Sequence, residues 1–119
     1  MLKDAECFTH IYLRTDRTDM RLGIDDLLTV IGGQMGLDPT EPGSIFLFCG
    51  HKKDRIKALI FEGDGWLLCY KRLTGDCSYQ WPRDESEARK LTKQQFRWLM
   101  EGLSIEQKKV IKDTKPDIY

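Results

Sequence analysis

The stretch GHKKDRIKALIFEGDGWLLCYKR, from Gly50 to Arg72, sets Lys52, Lys53, Arg55, Lys57, Lys71 and Arg72 around two apolar runs and a glycine-rich turn. Cations in this pattern suit one kind of chemistry: holding phosphate, where each neutralised group adds salt-dependent affinity. A three-residue turn over Gly63, Asp64 and Gly65 places Lys57 opposite Lys71 on adjacent strands, and a two-residue turn over 64 and 65 places it opposite Arg72. Like charges side by side repel unless solvent or an anion relieves them. The competing reading is that these long side chains run from a sheet edge into water. Phe46, Phe48 and Phe61 fall on the face of Lys57 and could stack bases, but burial preference assigns such rings to a core.

Other chemistries find less support. The GDG turn lacks P-loop and dinucleotide-fold spacing and joins strands instead of opening a helix. Asp54 and Asp64 stand at opposite ends of one strand, about 25 Å apart at normal strand rise, too far to share a metal. Asp19, Asp25 and Asp26 belong to a helix start, where negative charge suits the positive end of the dipole. His10 and His51 have no local nucleophile, and no serine sits in an elbow motif. Cys7, Cys49, Cys69 and Cys77 form no CxxC pair, and Cys49 with His51 matches zinc spacing poorly. No catalytic residue, metal ligand or cofactor is assigned.

The formal net charge is zero, with 19 Lys/Arg against 19 Asp/Glu, so the chain is no generic polycation. The charge is nevertheless uneven: residues 1–43 carry four Lys/Arg against eight Asp/Glu, and residues 44–119 carry fifteen against eleven. An anionic partner should meet the second half. At 119 residues, 40% of them hydrophobic, the chain suits one core. No apolar run is long enough to span a bilayer, and charge interrupts the N-terminus before any signal-peptide core, so a cytoplasmic address is expected.

Several elements must position the cations. Phe8–Arg14 alternates as a first strand. Met20, Ile24, Leu27, Ile31 and Met35 make one helical face, capped by Asp16, Thr18 or Asp19 and stopped near Gly36. Ile45–Cys49 is an all-apolar buried strand, Arg55–Glu62 and Trp66–Arg72 form a hairpin, and Ser78–Trp81 is a weaker strand candidate. Positive φ is expected at Gly63 or Gly65, since the twisted strands require it there. Thr92 and Gln95 make a capping box for a helix bearing Phe96, Leu99, Met100 and Leu103, with Gly102 as its end.

Four blocks, DMRLGIDDL (Asp19–Leu27), FLFCGHKKDRIKALIFEGDGWLLCYKRL (Phe46–Leu73), QWPR (Gln80–Arg83) and LTKQQFRWLMEGL (Leu91–Leu103), resemble the TnpB accessory proteins of three-gene bacterial insertion sequences, the type numbered sixty-six. The RNA-guided nucleases that share the name TnpB are a different, larger kind of protein. The resemblance implies a role in transposition beside a separate transposase that supplies the catalytic acids, with the element's other proteins and its DNA as partners. This chain has Asp26 where such proteins usually carry Gly.

The expected architecture is one α+β domain over residues 1–119: an antiparallel β-meander of about four to five strands, covered by an N-terminal helix and a C-terminal helical segment. Residues 104–119 form a lysine-rich tail. The expected function is a non-catalytic transposition accessory factor that binds DNA or assembles the transposition complex. The alternatives are an adaptor that binds transposase without touching DNA, and a metal-dependent nuclease.

Overall fold

The computed structural model describes residue 2 and residues 6–107. Five strands and two helices follow one another as β1 (His10–Arg14), α1 (Ile24–Gly33), β2 (Ser44–Cys49), β3 (Arg55–Phe61), β4 (Trp66–Arg72), β5 (Ala88–Leu91) and α2 (Lys93–Met100). The strands form one sheet in the order β4-β3-β2-β1-β5.

The sheet is mixed, which corrects the expected antiparallel meander. β1 and β2 run parallel, with Ile11 beside Ile45 and Leu13 beside Leu47, while the other three pairings are antiparallel. The cause is the connection between them. Residues 15–43 carry α1, and a strand–helix–strand crossover returns the chain in the same direction, whereas a meander needs a short turn. The six residues of β2 are all buried, as suits a strand in the middle of the sheet.

Alternation along the strands divides the core in two. Phe46, Phe48 and Leu59 join Leu27, Ile31 and Met35 in one cluster, with Met20 and Ile24 packed against it; Ile24, Leu27 and Ile31 lie on α1, whereas Met20 and Met35, expected on the same helical face, lie outside the helix. The odd-numbered neighbours Ile45, Leu47 and Cys49 join Ile11, Leu13, Phe96 and Leu99 in the other. Ile105 belongs to this second cluster, so the expected tail begins inside the core. From residue 108 onward that tail lies outside the described residues.

The caps came out unequally. The Thr92 hydroxyl accepts from the Gln95 amide and the Gln95 side chain accepts from the Thr92 amide, a complete capping box. Helix α1 instead starts at Ile24 after Gly23, with no side-chain cap. Asp19 is occupied elsewhere: it takes the Arg21 guanidinium at 2.8 Å, and this contact draws its carboxyl down to about 2. Thr18 is turned inward, where its hydroxyl accepts from Arg14.

Ser78–Trp81 is not a strand, although Tyr79 and Trp81 are buried. Trp81 Nε1 donates to the Arg14 carbonyl at 2.8 Å and the Tyr79 amide to the Lys53 carbonyl at 2.7 Å, so isolated anchors hold this segment in place of a ladder. The strand that flanks β1 is Ala88–Leu91, four residues long.

Gly63 has φ +89°, as the hairpin requires, whereas Gly65 is not in the positive-φ region. Gly63→Val should therefore cost about 1 kcal/mol or more through backbone strain, and Gly65→Val less. Urea unfolding of the two variants checks this, and equal stability of Gly63→Val and wild type would refute it.

Candidate nucleic-acid interface

The hairpin register decides which cations meet. Phe61 pairs with Trp66, and the Glu62 amide donates to the Gly65 carbonyl at 2.8 Å, so the two turn residues are Gly63 and Asp64. Neither sequence-derived register is correct. Arg55 stands opposite Arg72, Lys57 opposite Tyr70, and Ile56 opposite Lys71. The expected juxtaposition of like charges exists, but it belongs to Arg55 and Arg72.

Lys57 does different work. It is only 9% exposed, its amine donates to the Leu22 carbonyl at 2.7 Å, and it lies 5.6 Å from the centre of the Tyr70 ring. This cation ties β3 to the segment that leads into α1. Lys71 falls on the opposite face of the sheet from Arg55, Lys57 and Arg72, because strand side chains alternate.

Two of the remaining cations, Lys52 and Arg55, line an open cleft. The loop after β1 and the loop after β2 leave from the same end of two parallel strands, and a cavity of about 460 Å³ opens between them. Arg17, Thr18, Asp19 and Met20 line it from the first loop, and Gly50, His51, Lys52 and Arg55 from the second side. In open sheets, the carboxyl ends of parallel strands are where ligands bind. The two loops are joined: the Thr18 amide donates to the Cys49 carbonyl at 2.9 Å, and Arg83 donates to the carbonyls of Thr15 and Gly50. Gly50 allows this approach, since a Cβ there would lie 2.9 Å from Met20 Cγ.

Charge in the cleft is predominantly positive. Asp19 is neutralised by Arg21, and Asp54 lies 3.1 Å from Arg55, whose hydrogen bond holds the Asp54 carboxyl below its ordinary value. Arg17, Lys52, Lys53 and Arg72 are exposed and form no ion pair among the described residues. The structure thus brings Lys52 and Arg55 together at the cleft, with Arg72 on the strand beside Arg55. Lys53 lines a separate cavity with Tyr79, Arg83 and Arg89. Arg17 is the cleft cation that the sequence reading leaves out, and His51, considered there only for catalysis or zinc, is also a cleft residue. The sequence pattern marks the TDRTD loop as a helix cap, and only the parallel pairing of β1 with β2 reveals that it faces HKKD.

Aromatic stacking has no open platform at Phe46 or Phe48, which are fully buried, while Phe61 packs 4.6 Å from Trp66. Among the described residues no three His, Cys, Asp or Glu side chains gather as a metal site. Cys49 is buried, and burial pushes its thiol up to about 11, while His51 is exposed. Elemental analysis of untagged protein should return zinc well below one equivalent, and stoichiometric zinc would overturn that expectation. No described helix is long and apolar enough to cross a membrane.

Two relatives come from Sinorhizobium fredii. The chain is 29% identical over 93 residues to the uncharacterized protein y4hO, covering 78% of this chain and 79% of that protein. It is 28% identical over 108 residues to the uncharacterized protein y4jC, covering 88% and 91%. No solved structure matches the chain significantly. The family model described as IS66 Orf2 like protein matches residues 9–110, the span that includes every strand, both helices and the cationic cleft. The chain belongs to the IS66 Orf2-like family of insertion-sequence accessory proteins.

Proposed function

We propose that this chain is a non-catalytic accessory factor that contacts the DNA of its insertion element and helps assemble the transposition complex with the separate transposase. The observation that carries this reading is the cleft at the open ends of β1 and β2, where Arg17 and Lys52 are unpaired among the described residues and Arg55 sits beside Arg72. Cations gathered on one end of a chain whose net charge is zero form a localised anion site, which phosphate would fill. Lys53 and Lys71 would extend the contact to DNA that wraps past the cleft, and Lys57 supports it from below. The whole chain, residues 1–119, acts as one domain, with the lysine-rich tail 104–119 as part of it.

The net charge of zero also keeps a second reading in play: an adaptor that binds transposase without touching DNA. A nuclease reading draws no support from the acids, since Asp19 and Asp54 are each held by an arginine. Labelled insertion-sequence ends, titrated with this protein alone and then with its transposase, separate the three. Binding by the protein alone at low salt supports the proposal. Retention only through transposase supports the adaptor, and metal-dependent cleavage the nuclease.

A further inference from the structure

Strand β4 ends the sheet, and no strand among the described residues pairs with its outer side. The orientation of its backbone follows from two bonds. Glu62 donates to Gly65 and Leu73 donates to Asp54, which fixes the hydrogen-bonded pairs at both ends of the hairpin. Since such pairs alternate along an antiparallel ladder, the odd-numbered residues of β4 bond to β3. Trp66, Leu68, Tyr70 and Arg72 therefore direct their N–H and C=O groups outward.

Exposed edges of this length are usually guarded by charge, a proline or a bulge, because they template pairing with another chain. Here the cations stand only at the end, and the sequence WLLCYKR is apolar through its first four residues. Tyr70 is 54% exposed on this edge.

We propose that β4 pairs antiparallel with β4 of a second copy of this chain, across a two-fold axis at Cys69. The pattern is self-complementary in that register. Trp66 meets Arg72 of the partner subunit and Leu68 meets Tyr70 of the partner subunit as hydrogen-bonded pairs. Each guanidinium then lies beside an indole, a favourable cation–π partner. A parallel pairing would instead set arginine beside arginine and lysine beside lysine, which is unfavourable. The axis also makes Cys69 and its symmetry mate a non-hydrogen-bonded pair. Their Cα atoms would lie about 4.5 Å apart, within reach of a disulfide. The result is one continuous sheet of two subunits with a cationic cleft at each of two diagonal ends.

The test uses the full chain with Cys7→Ser and Cys77→Ser, which leaves only Cys69 and the buried Cys49. Light scattering at micromolar concentration should give a dimer. Diamide, which accepts the two hydrogens of a thiol pair and is reduced to its hydrazine, should then join the subunits through Cys69, and Cys69→Ser should abolish the joined species. Tyr70→Pro removes one outward N–H while sparing the ladder to β3, a substitution that edge strands tolerate. It should yield a monomer with unchanged far-ultraviolet circular dichroism. If that variant fails to fold, the Cys69 cross-link decides alone. A monomeric parent protein, or a dimer that Cys69 does not join, would overturn the proposal, whatever other strand then proves to occupy the edge.

Discussion

Lys57→Ala should destabilise the fold by about 2–4 kcal/mol, more than any other cation of the hairpin. Truncation removes the amine that satisfies the Leu22 carbonyl at 2.7 Å and empties the space its stem fills beneath Tyr70. Two costs then add: an acceptor left without its partner, and a void among packed side chains. Lys57→Met keeps most of the stem and should lose only the hydrogen bond, about 1–3 kcal/mol. Arg72→Ala, by contrast, removes an exposed side chain that faces Arg55 and should change stability by no more than about 0.5 kcal/mol. Urea denaturation of the three variants measures the order. Lys57→Ala as stable as wild type would show that this amine is not a structural tie.

That ranking inverts what the sequence suggests. Lys57 lies in RIKALIF, where a lysine between apolar residues on a strand reads as a charge reaching solvent or an anion. Its neighbour in space is the Leu22 carbonyl, 35 residues away, and no local pattern announces a contact that depends on where the segment before α1 passes. The register failed for a smaller cause. The turn was legible from GDG, but placing it one residue later moved Lys57 across the ladder from Tyr70 to a cation.

Elements with strong local signals were read correctly. The capping box at Thr92 and Gln95 needs only side chains three residues apart, and the all-apolar IFLFC marks a central strand without any knowledge of its neighbours. Ala88–Leu91 is not legible as a strand because ARKL carries no β-branched residue and runs straight into a helix cap. The direction of β1 against β2 was inferable from the helix between them, yet the runs of antiparallel pattern further along drew the reading toward a meander. The cleft depends on that parallel pair. Half of the candidate site was therefore legible, namely HKKDR, and the half supplied by Arg17 was not.

Replacing Arg17, Lys52, Arg55 and Arg72 together by glutamine should remove about four phosphate contacts, and with them about 3–4 units of log-log salt slope. Over a fourfold rise in salt, wild-type affinity should fall by about 10² more than that of the variant. Sequence preference should change little, since phosphate contacts position a protein without reading bases. The fold should survive, because three of the four side chains are exposed and Arg55 and Arg72 repel each other across the strands. Two controls sharpen the result. Lys71→Gln, on the other face of the sheet, should flatten the slope by no more than about one unit. Lys57→Met, measured below its unfolding transition, should leave it unchanged.

The most direct measurement is the affinity of wild-type and quadruple-variant protein for labelled insertion-sequence ends, taken by fluorescence anisotropy across a salt series. Wild-type binding at low salt, with a steep slope that the quadruple substitution flattens by about 3–4 units, is the expected result. A folded variant that keeps both the wild-type affinity and the wild-type slope would contradict DNA contact through the cleft between β1 and β2.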